Sequence, residues 1–540
     1  MRHSCALGFL LLGCACVGNA QMGRTTDWWS YGGDAQRTGW EKNEQKFTKD
    51  DVKDFRLLWK MKLDNSQKGP GALMAPVIVG NLIGSRGFKE LAIIAGSSNR
   101  LWAIDSDLAR MYWHKDFGAP KKSGNRGSCR AGLTAMPTLS APVVFHFPTT
   151  PARPSSTARK APAGESQAAM MKRVFSPKPA YLVSSDGMLH RLNVDDGSDL
   201  EAPLAFLPAN AQAHSLNVTQ DAIYTSTSEG CGGSPNAVWG IDLSAAPPKV
   251  SSFVSRGAGF VGLGGAALGN DATVYAQTGA GKFDPDAHEY GNAVLALTPK
   301  DLQLKQYFAF PESASSGKTL DMNATTPLVF AYKGLDLVVA AGRDGRLYLL
   351  DSSALGGADH KTPLYQTPLI STGGIWGSLS SWQDIGGVRY VLAAVWGPLS
   401  SELKVPVTNG DAPNGSIVAF KVEEQDGKPV LTAAWASEDM QSPAPPVIAQ
   451  GVVFALANGE YIRRIRKSRG SVRVEERPKN GTHAVLYALD AATGKQMYST
   501  GDQVALPGSL TGLSIANGRL YFATTDNTMN VFGKYLQTEP

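Results

Sequence analysis

The chain has 540 residues, 43% hydrophobic and 18% charged, with 58 Gly, 32 Pro and a formal net charge of +5. So many turn formers and so few charges exclude a long-helix or coiled-coil protein, while 11 Trp, 16 Tyr and 19 Phe exclude global disorder. The charge is too diffuse to indicate a nucleic-acid partner, and no apolar run long enough to cross a membrane follows the N-terminus.

Residues 1–20 predict an export signal: Arg2 and His3 form a polar start, residues 6–12 an apolar run, and Gly18-Asn19-Ala20 a small-residue cleavage site. Leu11-Leu12-Gly13-Cys14 also resembles a bacterial lipobox, which would place a lipid anchor on Cys14. Either reading puts the mature protein outside the cytoplasm, in the periplasm, secreted, or at the outer membrane. Cys5, Cys14 and Cys16 lie in this leader, so cleavage after Ala20 leaves only Cys129 and Cys231. Two cysteines in an exported chain form a disulfide or stay as two buried thiols. No C-x-x-C-H occurs, which excludes covalent c-type haem.

Self-similarity dominates the rest. The clearest unit is AVLYALDAATGKQMY at 484–498: an apolar strand to Asp490, a turn at Thr493-Gly494, then a strand closed by an aromatic residue. Similar units begin near Leu101, Leu189, Val238, Val294, Leu347, Ile417 and Met529, each after a β-rich run such as LAIIAG, YLVSS or LVVAAG. About eight copies of a four-stranded antiparallel unit predict an all-β, single eight-bladed β-propeller over residues 21–540. The last copy lacks an outer strand, and residues 57–63 (LLWKMKL) are the expected replacement, so the N-terminal strand closes the last blade. With strands A to D counted outward from the axis, 230–236, 279–292, 397–415 and 458–483 fall in B–C loops. These loops share one face with the D–A links between blades, and function collects on such loops. Residues 146–179, rich in Pro, Ser, Ala and Lys, predict a flexible insertion between strands A and B of the second blade.

Three motifs carry a resemblance: A-x-D-x-x-T-G-K at 488–495, DWWSYGGDAQRTGW at 27–40 and SDGMLHRLN at 185–193. Through them the whole mature chain resembles the quinoprotein propellers, whose repeats are named for pyrroloquinoline quinone (PQQ). That family includes PQQ-dependent alcohol dehydrogenases, polyvinyl-alcohol-dehydrogenase-like proteins and cofactor-free outer-membrane assembly propellers. The resemblance implies Asp321 as catalytic base and Arg343 as the group that hydrogen-bonds the quinone oxygens and stabilises developing negative charge. It also implies Arg130 as a cofactor contact and Glu229 with Asp321 as calcium ligands. Trp376 in GGIWGS sits in a D–A link and reads equally as a ring that stacks on a planar ligand or as one packed at the ring's mouth. This chain departs from the family pattern in three places. Cys129 stands alone where the family has adjacent cysteines, GLGGAALG lacks the Trp expected beneath the quinone, and Ala280 replaces the calcium-binding Asn. Asp284, Asp286 and Glu289 supply hard oxygens nearby, and otherwise read as a solvated acidic loop.

Two functions follow as expectations. One is oxidation of an alcohol or polyol by bound PQQ with calcium, electrons leaving to a separate acceptor. The other is a cofactor-free propeller that binds protein partners as a scaffold. The basic run from Arg463 to Arg473 reads as a solvated loop, and no P-loop, zinc ligand set or nucleophile elbow occurs.

Overall fold

The computed structural model describes residues 25–66, 68–69, 71–84, 87–119, 129–140, 179–311, 325–342, 344–371, 373–460 and 481–535. The strands form eight antiparallel blades around one axis, and no α-helix occurs among the described residues. The second strands of the successive blades are Gly87–Gly96, Pro179–Val183, Ala222–Ser228, Val274–Thr278, Leu335–Ala341, Arg389–Trp396, Val452–Ala457 and Arg519–Ala523. Blades bury both faces against neighbours, so inner strands such as Val452–Ala457 are buried throughout, while the outer strand Arg110–Asp116 is half exposed. The expected closure forms. Arg56–Lys62 pairs antiparallel with Thr528–Gly533, with Leu57 opposite Phe532 and Met61 opposite Met529.

The repeat motif has a packing role. Gly494 adopts φ +72°, and a Cβ there would lie 2.2 Å from the Trp435 ring of the preceding blade. The Trp435 indole N–H donates to the Ala491 carbonyl at 3.0 Å. The same arrangement seats Trp113 on Gly197 and its N–H on the Val194 carbonyl. In these two places the outer tryptophan docks on the next blade's C–D turn, where only glycine leaves room.

Residues 26–44 make one complete lap inside the ring. Thr26 bonds Asn517 of the eighth blade, Trp28 exchanges backbone bonds with Ile78 of the first, and the Trp29 carbonyl accepts from Leu139 of the second. The Ala35 carbonyl serves Asn217 and Leu268, Gln36 serves Val329, Thr38 serves Ser381, and Gly39 serves Ile448. Trp40–Glu41 then runs parallel to the inner strand of the seventh blade, and a Glu44 oxygen accepts from Gly518 of the eighth. Arg37, 1% exposed, spans the axis, donating to the carbonyls of Ala266, Leu216 and Tyr31 and to Ser30 Oγ. Burial pulls its pKa down to about 10, against the opposing pull of Asp34 and Tyr31.

Candidate functional site at the channel mouth

The loops at 230–236, 279–292 and 397–415 and the visible ends of 458–483 join second to third strands. They share one end of the channel with the D–A links. Residues 141–178, most of the predicted insertion, lie outside the described residues, as does the basic run Arg463–Arg473.

The structure brings Cys129 and Cys231 together as a disulfide, with Cα atoms 5.7 Å apart. It ties the link between the first two blades to the B–C loop of the third. Arg130 follows directly. Its backbone N–H donates to Gln212 Oε1 at 2.9 Å, and its Nη1 stands 2.7 Å from where a Cβ on Gly71 would lie. The side chain therefore reaches from the link between the first two blades to the segment that enters the first, while the backbone is held by the third. Among the described residues no carboxylate forms an ion pair with it, and burial pulls its pKa below the usual guanidinium value. His214 lies close by, 6% exposed, with Nδ1 2.9 Å from Ser226 Oγ and Nε2 3.4 Å from Ser228 Oγ. Burial, then repulsion from Arg130, pushes its pKa down to about 3, so the imidazole is neutral.

The other expected residues are placed less directly. Trp376 is 3% exposed; its ring stacks on Trp396 at 3.7 Å and 18°, and its indole N–H donates to the Gly373 carbonyl. One ring face is thus already covered. Glu229 is exposed, in a left-handed conformation at φ 64°. Asp321 and Arg343 lie outside the described residues. In the nearby acidic loop, Lys282 bridges Asp284 at 3.2 Å and Glu289 at 2.6 Å, and Asp284 also caps a short turn through the Ala287 N–H. Among the described residues no three His, Cys, Asp or Glu side chains converge as a metal set.

Gln212 and His214 were not legible as site residues. They stand in QAH, where polar residues alternate into the axis of an inner strand, a weak signal without a motif. A Ser–His–Asp chain also occurs in the second blade, Ser184 Oγ to His190 Nε2 at 2.9 Å and His190 Nδ1 to Asp199 Oδ1 at 2.8 Å. Ser184 is 4% exposed and its hydroxyl donates to Asp186, so this chain fastens strands and holds no free nucleophile.

No protein-family model and no curated protein matches the chain. Solved structures do. Quinohemoprotein alcohol dehydrogenase from Comamonas testosteroni superposes with a TM-score of 0.56 at 14% identity, over 95% of this chain and 82% of that one. Quinohemoprotein alcohol dehydrogenase ADHIIG from Pseudomonas putida HK5 gives 0.54 at 11%, over 95% and 81%. A europium-containing methanol dehydrogenase gives 0.50 at 12%, over 94% and 89%. With its eight blades and its closing N-terminal strand, the chain has a β-propeller fold like that of the quinoprotein dehydrogenases.

Proposed function

We propose that this chain is an exported quinoprotein-type propeller that binds PQQ at the loop-bearing mouth and oxidises an alcohol or polyol. The observation that carries the reading is Arg130, a half-buried guanidinium in the mouth with no carboxylate partner among the described residues. A polyanionic, planar quinone supplies the missing counter-charge. When bound, PQQ supplies a two-electron acceptor for alcohol oxidation. Arg130 holds a carboxylate of the cofactor, and the Cys129–Cys231 disulfide beside it fixes the link that positions it. Neutral His214 stands behind Arg130 without competing for the anion. The resemblance assigns Asp321 as base and Arg343 at the quinone oxygens. Calcium fits less well: Glu229 is exposed and no metal set converges among the described residues, so no step is routed through a metal. Export rests on the leader at 1–20, with the lipid anchor at Cys14 as its variant, and on the joined cysteines.

The departures from the family pattern at Cys129, Ala280 and GLGGAALG favour the second reading, a cofactor-free scaffold for protein partners. Calorimetric titration with PQQ, with and without calcium, separates the two. The enzyme reading expects saturable binding, weakened roughly tenfold in Arg130→Gln, and PQQ-dependent dye reduction with some member of an alcohol panel. Wild-type protein that binds no PQQ under either condition overturns it.

A further inference from the structure

The opposite end of the channel carries a second cavity, unrelated to the mouth. It has a volume of about 350 Å³ and is lined by Asp27, Trp29, Asp34, Trp40, Glu41 and Lys42, among others. It opens where the inner lap leaves the ring, beside the A–B turn of the seventh blade, because Trp40 and Glu41 pair with Ile448 and Ala449. Glu41 is 8% exposed; Oε1 accepts the Asn43 N–H at 2.9 Å, and among the described residues no cation forms an ion pair with it. A carboxylate this buried, with no cation paired to it among the described residues, is poorly compensated.

The surroundings define which cation fits. No three carboxylates here converge as a metal set, and two walls are indole rings. Aromatic faces with spaced carboxylates suit an organic ammonium, which binds through cation–π attraction and long-range charge, rather than a divalent metal that needs converging oxygens. The chain supplies its own stand-in. The Lys42 ammonium lies 5.2 Å from the Trp40 ring centroid and 3.8 Å from Asp34 Oδ2, on a side chain 46% exposed. An ammonium group is therefore already accommodated at this wall, held by a flexible, solvent-exposed stem.

We propose that this cavity binds a small organic ammonium ion, seated against the Trp40 and Trp29 indoles and the Asp34 and Glu41 carboxylates in place of the Lys42 ammonium. Titration supports the placement. Burial, then repulsion by Glu44, Asp27 and Asp34, pushes the Glu41 carboxyl up to about 7, although Lys42 and Arg389 are close by. A ligand cation would recover the charge balance that these two leave incomplete.

The test is calorimetry and tryptophan fluorescence on the purified full chain, with choline and n-butylamine as probes and uncharged 3,3-dimethylbutanol as the isosteric control. Both ammonium probes should bind and the alcohol should not. Lys42→Ala should tighten choline binding several-fold by removing the internal competitor. Glu41→Gln, which keeps the Asn43 hydrogen bond, should weaken it roughly tenfold and abolish the rise in affinity between about pH 6 and pH 8. Equal binding of choline and dimethylbutanol would show an apolar pocket and overturn the proposal. So would saturation by calcium but not choline, or no choline binding by folded Lys42→Ala protein. None of these outcomes bears on PQQ.

Discussion

The two ends of the channel are built from the same ring and carry opposite charge problems. At the mouth, Arg130 has no carboxylate partner among the described residues, and His214 beside it is held neutral. At the base, burial and repulsion from Glu44, Asp27 and Asp34 push Glu41 up to about 7. Between them the inner lap seals the axis with Trp28, Tyr31 and Arg37, all at most 4% exposed. Desolvation is the leading cause of every one of these shifts, so the ring's low-dielectric interior sets their sense, with local charges adding to it at Glu41 and His214 and opposing it at Arg37. At each end an ionisable group has no ion-pair partner among the described residues, and such groups are candidates for a ligand of opposite sign.

The strongest way to break this comparison is to remove the seal. Arg37→Met keeps the side chain's length but removes a charged donor from the carbonyls of Ala266, Leu216 and Tyr31, which keep only Asn217 Nδ2, Thr138 Oγ1 and a long contact from Ser30 Oγ. The expected loss is about 3–5 kcal/mol, read from urea unfolding. Because the lap touches every blade, the loss should appear in the whole transition. A second, separately melting unit would contradict the continuous lap.

The mouth alone is loosened by Cys129→Ser with Cys231→Ser. A bond spanning 102 residues should contribute about 3–4 kcal/mol through the unfolded state. The same double variant should lower PQQ affinity, since Arg130 is adjacent, and leave choline binding at the base unchanged. Loss of both would show that the ends are coupled through the ring.

How far the sequence revealed this differs between the same regions. The repeat was legible because each blade re-uses one strand–turn pattern, and where an outer tryptophan docks on the next blade's turn glycine, as Trp435 does on Gly494, the contact needs particular residues at particular spacings. Closure was legible for a related reason: residues 57–63 form a strand with no blade of their own. The inner lap was not. Its contacts are mostly backbone carbonyls offered in turn to eight inner strands, and a carbonyl leaves no trace in residue type. DWWSYGGDAQRTGW was visible as a family motif, but nothing in it announced that Arg37 would span the axis or that Glu41 would lack a counter-ion. At the mouth, Arg130 was expected from the resemblance, whereas Gln212 and His214 emerged only when strands distant in sequence were brought together.

The base is sharpened by Glu41→Gln. The folded pKa of Glu41 is raised to about 7. Its favourable contribution is therefore complete below the unfolded value and lost as pH rises through 7. Gln removes the titration and keeps the hydrogen bond to Asn43. The variant should match wild type near pH 4 and exceed it by up to about 3 kcal/mol at pH 8. A variant less stable than wild type at pH 8 would mean that Glu41 is ionised and well compensated.

The mouth gives the opposite slope, with a smaller effect in the accessible range. The folded pKa of His214 is depressed to about 3, so the folded state refuses a proton that the unfolded chain accepts below about 6.5. Its contribution is complete above that unfolded value and falls by about 1.4 kcal/mol per pH unit as acid is added, reaching about 2 kcal/mol at pH 5. His214→Gln retains a group that can bond Ser226 and has no proton to gain. Its stability, relative to wild type, should therefore rise as the solution is acidified from about pH 7 to pH 5. Measured together, Glu41→Gln should flatten the alkaline limb of the stability curve and His214→Gln the acid limb. If PQQ binds at the mouth, its negative charge should raise the His214 pKa and shrink the acid slope. Choline at the base should leave that slope alone, because Arg130, not Glu41, is the charge that His214 feels.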